Sequence, residues 1–142
     1  MKNKKGVPVI TRSFASSQIC LGEPWKVFLN ASDLEGDMKT FYCIIEQPGV
    51  GTYPASLTKI PKDQQRELSG YLYLTTPGMA GMNFGNLVLT VQIQDQAGNF
   101  SEPLSFSLSF NPRAHQEEAP PGLFQDKELG PIMIPLTSGS AG

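Results

Sequence analysis

The residues able to do chemistry are few, and most are acidic. Carboxylates recur at close spacing in two places. Asp33, Glu35 and Asp37 lie within Asn30-Ala31-Ser32-Asp33-Leu34-Glu35-Gly36-Asp37, and Glu117 stands beside Glu118. Paired carboxylates perform glycosidic acid–base chemistry when a cleft holds them on either side of a sugar. Here the partners are near neighbours on a turn or in a polar terminal stretch, and no walled cleft is implied. His115 is the only histidine and belongs to that terminal stretch, which leaves no Ser-His-Asp or Cys-His constellation. Zinc needs several Cys or His ligands at short spacing, and Cys20 and Cys43 are the only cysteines. These two form either one disulfide or two free thiols, and a bridge requires Cα atoms within about 7 Å. Gly49-Val50-Gly51 lacks the third glycine and the helix of a dinucleotide loop, and no lysine follows a glycine loop as in a P-loop. The reading is a chain with no catalytic residues and no enzymatic activity.

The bulk composition excludes two further classes. Charged residues make up 17% of the 142 residues, with a formal net charge of −2. The only basic cluster is Lys2, Lys4 and Lys5. Nucleic-acid binding needs clustered Lys and Arg to neutralise phosphates, so none is expected. No run of roughly eighteen apolar residues is present, so no membrane span is expected either. The length favours one domain with tails, and 14 glycines and 12 prolines point to many turns.

The elements that must position these residues are strands. Residues 7–14 read as an edge strand, with Pro8 near its start. Trp25, Val27, Leu29 and Ala31 alternate with Lys26, Phe28 and Asn30 at the period of two of a half-buried strand. After the acidic corner, residues 39–46 are apolar on both faces, as in a central strand. Residues 53–60 hold one short strand interrupted by Pro54. Leu68, Gly70, Leu72 and Leu74 alternate with Ser69, Tyr71, Tyr73 and Thr75, and a glycine-rich connection over 77–86 follows. Leu87, Leu89, Val91 and Ile93 face one way, and after the loop Asp95-Gln96-Ala97-Gly98-Asn99 so do Leu104, Phe106, Leu108 and Phe110. About seven short strands with no helical periodicity predict an all-β, antiparallel β-sandwich. The expected domains are a disordered segment over 1–6, the sandwich over 7–111, and an irregular, proline-containing tail over 112–142 with one short apolar segment.

The acidic corner followed by an aromatic-containing strand, and then the late Asp95-Gln96-Ala97-Gly98-Asn99 hairpin, resembles bacterial Ig-like domains and the cadherin-like and PKD-type modules of cell-surface proteins. The resemblance spans residues 7–110. It implies an Ig-like fold, a non-catalytic spacer or binding role, and a periplasmic, extracellular or surface location. Met1-Lys2-Asn3-Lys4-Lys5 looks like the charged start of a signal peptide, but the apolar stretch that should follow ends at Arg12. The location therefore rests on fold type alone, through a processed form with a new start methionine. Cadherin-like modules bind calcium through acidic groups at such corners, so the resemblance nominates Asp33, Glu35, Asp37 and Asp95, with Asn99 as a carbonyl ligand. Calcium takes six to eight oxygens. The alternative is that Asp, Asn and Gly are here as the residues turns prefer. Asn30-Ala31-Ser32 and Asn99-Phe100-Ser101 fit a glycosylation pattern but read equally as turns.

The remaining feature is a set of aromatics on the outward face. If Trp25, Val27 and Leu29 point inward, Phe28 points outward; if Leu68, Leu72 and Leu74 point inward, Tyr71 and Tyr73 point outward. The two strands are expected to be neighbours in one sheet, giving a cross-strand aromatic group. Three readings stand: β-propensity alone, a docking surface for a protein partner or for self-association, or a patch covered by the tail through Leu123-Phe124 or Ile132-Met133-Ile134. A sheet edge augmented by residues 128–136 of another chain is a further assembly mode. A carbohydrate-binding role would need an open platform from Trp25, Tyr53, Tyr71 or Tyr73.

Overall fold

The period of two governs the architecture. A computed structural model describes residues 6–20, 22–49, 51–76 and 86–134. The strands are β1 (Val9–Ala15), β2 (Gln18–Ile19), β3 (Trp25–Ser32), β4 (Met38–Gln47) and β5 (Gly51–Thr52). They continue as β6 (Ser56–Lys59), β7 (Glu67–Leu74), β8 (Asn86–Asp95), β9 (Leu104–Phe110) and β10 (Glu128–Pro131), with one 3-10 turn at Lys62–Gln64. No α-helix occurs among the described residues. In β3, β7 and β8, side chains alternate between buried and more exposed without interruption. The expected inward sets, Trp25 to Ala31, Leu68 to Leu74 and Leu87 to Ile93, are therefore the observed ones.

Two sheets face each other. One runs β1-β3-β7-β10; the other runs β2-β9-β8-β4-β5, with β6 also paired to β4. The core between them is led by Trp25, Phe41, Ile45, Leu72 and Ile93, all fully buried. Trp25 keeps its one polar atom satisfied, because Nε1 donates to the Ser16 carbonyl at 2.8 Å. The short strand expected over residues 53–60 resolves into β6 alone, with Pro54 lying before it. The glycine-rich connection over 77–85 lies outside the described residues.

The structure differs from expectation at the chain's end. Residues 112–127 cross the outer face of the four-stranded sheet. β10 then adds to the free edge of β7 in parallel, with Gly130 opposite Leu72 and Pro131 opposite Tyr73. A second short parallel pairing joins β2 to β9, so the sandwich is not purely antiparallel. Leu129, Ile132 and Ile134 are buried in the common core. Ile132 N–H donates to the Tyr73 carbonyl at 2.8 Å. Thr58 Oγ1 donates to the Pro131 carbonyl at 2.6 Å, and Met133 N–H donates to Ser56 Oγ at 2.9 Å. The segment thus binds β7 of one sheet and β6 of the other, and seals one side of the sandwich. Lys127 pairs with Asp63 at 2.7 Å. What reads in sequence as an irregular tail is a strap. A four-residue strand containing Gly130-Pro131 is too short to display an alternation.

Gly70 explains the seat of the strap. It occupies an inward position between Leu68 and Leu72 and so leaves a gap in the inner face of β7. A Cβ there would collide with the Lys127 backbone carbonyl and would lie 2.8 Å from Leu129 Cγ. The Leu129 side chain fills the gap that the glycine leaves.

Candidate metal centre

The acidic corner is assembled by strand register. β3 ends at Ser32, the chain turns, and β4 begins at Met38 in the opposite sheet. Asp33 and Asp37 thus sit at the two ends of a link between the sheets. β4 pairs antiparallel with β8, and Met38 stands opposite Asp95, the last residue of β8. The Gln96 N–H donates to the Asp37 carbonyl at 3.0 Å and ties the two turns together. One carboxylate oxygen from each of Asp33, Asp37 and Asp95 lies within 4.8 Å of the other two.

Local turn chemistry holds each group. The Asp33 carboxylate accepts from the N–H groups of Glu35 at 3.4 Å and Asp37 at 3.3 Å. Asp95 accepts from the Asn99 N–H at 2.8 Å and from Asn99 Nδ2 at 3.2 Å. Gly36 takes φ +69°, and a Cβ there would meet the Arg66 guanidinium at 2.8 Å. That guanidinium donates to the Leu34 carbonyl, at 2.7 Å. Among the described residues the only ion pair is Lys127–Asp63, so none of the three aspartates has a direct ion-pair partner.

The electrostatic consequence falls on Asp33. Asp33 and Asp95 are each 2% exposed. Burial, followed by the hydrogen-bonding contact with the Asp37 side chain, pushes the Asp33 carboxyl up from 3.8 to about 6. Asp37 Oδ1 is buried with no hydrogen-bond partner. An acceptor without a donor, in a nest of carboxylates, fits a cation or a shared proton.

The raised Asp33 value has a sign. A carboxyl that is harder to ionise when folded holds its proton to higher pH in the native state than in the unfolded chain. Cation-free protein should therefore be most stable below about pH 4 with respect to this group. It should lose on the order of 2–3 kcal/mol as pH rises to about 6, and be level above that. Asp33→Asn should flatten the slope of denaturation midpoint against pH in that window, as read by urea titration in chelator. An unchanged slope would remove Asp33 as its source.

Of the five residues nominated for calcium, the structure brings Asp33, Asp37 and Asp95 together. Glu35 is exposed at the tip of the turn, and Asn99 donates to Asp95 through its backbone N–H and its Nδ2. The aromatic set falls differently. Phe28 stands opposite Tyr71 in register, with ring centroids 5.3 Å apart. Phe124, from the crossing segment, packs on Phe28 at 5.6 Å, and Lys26 Nζ lies 4.6 Å over the Tyr71 ring. Tyr73 pairs with the strap at Pro131. The tail thus covers part of this face, leaving Phe28, Tyr71 and Tyr73 half-buried. Ile132 and Ile134 are core residues, and only Met133 of that trio is exposed. Edge augmentation of another chain by 128–136 would have to empty that segment's own seat. No open sugar platform forms from the nominated aromatics: Trp25 is fully buried, and Tyr53 is half-buried with its hydroxyl on Gln47 Oε1 at 2.9 Å.

Both cysteines are free thiols. Cys43 is fully buried in the core, where desolvation pushes its thiol up to about 12. Sequence reasoning missed Leu129 as a core residue and Gly70 as its socket. The one available signal was a glycine in an otherwise leucine-filled inward row.

No family model matches the chain, and no curated protein matches it. Among solved structures it is similar to the PKD domain of an M14-like peptidase from a Thermoplasmatales archaeon. That match has 17% identity over 72% of this chain and 94% of that one, with a TM-score of 0.44. It is also similar to a CARDB domain from Pyrococcus furiosus, determined in complex with di-metal ions. There the identity is 11% over 78% of this chain and 95% of that one, with a TM-score of 0.37. These are likenesses of fold.

Proposed function

We propose that this chain is a non-catalytic, secreted or surface-attached accessory module, whose sheets are pinned at one end by a calcium ion held by Asp33, Asp37 and Asp95. The observation that carries this reading is the convergence of the three carboxylates within 4.8 Å, none of them in an ion pair among the described residues. Two of the three are tightly buried and held by hydrogen bonds from their own turns, so little side-chain order is lost on binding. Their sequence positions span both turns of one end, so an ion there joins β3, β4 and β8. Calcium suits an all-oxygen, hard donor set. The carboxylates supply three to six oxygens, some already accepting hydrogen bonds, and water completes the shell. Such a site belongs with extracellular modules of about 10⁻⁴–10⁻³ M affinity.

Melting with and without calcium tests it. A ligand that binds only the native state raises stability by mass action. At about 5 mM calcium and neutral pH the gain should be about 1–2 kcal/mol, a rise in Tm of several degrees for a domain of this size. Calcium should also shrink the pH-dependent loss described above, because it binds the ionised cluster and must displace the Asp33 proton. Asp37→Asn should abolish the calcium response while raising the Tm of the cation-free protein, since it removes one of three crowded charges. No Tm shift at about 5 mM calcium, or a full shift in Asp37→Asn, would overturn the reading.

A further inference from the structure

The crossing segment does not lie flat on the sheet, and the space it leaves is a groove of about 560 Å³. Two anchors hold the segment. At one end Gln116 Oε1 accepts from the Lys26 N–H, and Gln116 Nε2 donates to the Pro24 carbonyl, each at 2.7 Å. At the other end the Leu123 carbonyl accepts from Asn30 Nδ2 at 2.8 Å, and the Gln125 N–H donates to Ser69 Oγ at 2.9 Å. Between the anchors, Ala119-Pro120-Pro121-Gly122 arches over the sheet. The prolines have no N–H to satisfy, and Gly122 turns the chain back with φ +81°.

The groove's chemistry is two-sided. Its floor is aromatic, formed by Phe28 and Phe124 in contact. Its rim carries Glu117, Glu118 and Asp126, and among the described residues none of these makes an ion pair. The one cation lining it, Lys26, is turned over the Tyr71 ring. The volume lies within the range of ligand pockets, roughly 300–1,000 Å³. It suits an elongated occupant with an apolar body and a positive end.

The geometry points to a binding groove for an arginine-bearing peptide segment of a partner protein. The aliphatic stem of arginine lies on apolar surface while its head stays with polar groups. The planar guanidinium stacks on aromatic faces and forks two N–H groups to a carboxylate, which the compact ammonium of lysine cannot do. The acidic rim attracts any cation, and the aromatic floor beside it favours a flat one. The groove stands on side chains separate from the aspartate corner, so this site operates whether or not calcium binds.

The test is calorimetric titration of the full chain with a capped hexa-arginine peptide at low salt, beside capped hexa-lysine and spermine. Hexa-arginine should bind, and more tightly than either control. The exposed pair Glu117→Gln and Glu118→Gln, checked for unchanged Tm, should weaken it by about tenfold, and Asp37→Asn should leave it unchanged. Phe124→Leu, which keeps an apolar floor, should erase the preference for arginine over lysine. Absence of binding, equal affinity for spermine or hexa-lysine, or full affinity in the Glu117/Glu118 variant would overturn the proposal. Loss of binding in Asp37→Asn would also overturn it, by moving the cation to the other acidic site.

Discussion

Ending the chain at Asn111 should abolish cooperative folding of the sandwich. The deletion removes Leu129, Ile132 and Ile134, each at most 4% exposed, and leaves their places empty. Deleting one large buried aliphatic side chain costs about 2–5 kcal/mol, because the surroundings only partly collapse into the space. Three such losses are comparable to the whole stability of a typical domain, about 5–15 kcal/mol. The hydrogen bonds from Thr58 to Pro131 and from Met133 to Ser56 also vanish, so β6 and β7 lose the piece that spans them. The free edge of β7 would then be bare, a template for pairing with other chains. The expected result is loss of a sigmoidal thermal transition by circular dichroism, with binding of a dye that reports exposed apolar surface. A chain ending at Asn111 that melts cooperatively within a few degrees of the full protein would show the strap to be dispensable.

Gly70→Val should cost about 3–5 kcal/mol, an overpacking penalty at the upper end of the usual range plus partial loss of the strap. By strand propensity alone the change should help, since valine favours strands and glycine weakens them. The sign is reversed because the new side chain occupies the space of Leu129 and meets the Lys127 carbonyl. The damage should be local. Limited proteolysis should cut at Arg113 and Lys127 before it reaches the strands, while the β3–β7 pairing persists. Leu129→Ala should be destabilising alone, yet less so in a Gly70→Val background, because the two changes compete for one space. Strict additivity in the four-member cycle would mean that the two residues do not share a socket.

Both results concern one region, and it is the region least legible in the sequence. The long strands were readable because each carries its signal within itself. Trp25, Val27, Leu29 and Ala31 alternate with polar or aromatic neighbours, and the buried face follows from that pattern alone. The same holds for Leu87, Leu89, Val91 and Ile93. The neighbouring of β3 and β7, and the opposition of Phe28 and Tyr71, followed from sandwich topology applied to those patterns. Residues 112–134 gave no such pattern. Their large apolar residues are Leu123, Phe124, Leu129 and the Ile132-Met133-Ile134 run, spaced irregularly because the segment touches the sheet at scattered points and enters the core only at its end. The groove is a product of that irregular path, so its acidic rim and aromatic floor come from residues nearly one hundred positions apart, Phe28 and Phe124 among them.

The candidate cation site divides the same way. Sequence by itself determined that Asp33 and Asp37 share a turn, that Asp95 closes a strand, and that each is a residue such positions favour. Only the tertiary structure decided that they meet, through the register that sets Met38 opposite Asp95. It also decided that Glu35 points away and that Asn99 serves Asp95. The physical reason is the range of the interactions. Alternation and turn preference are settled between residues a few positions apart, whereas register and the seat of a terminal strap depend on contacts distant in sequence. Such contacts leave no periodic trace in the chain that makes them; here the one local sign was Gly70, a gap in a row of leucines.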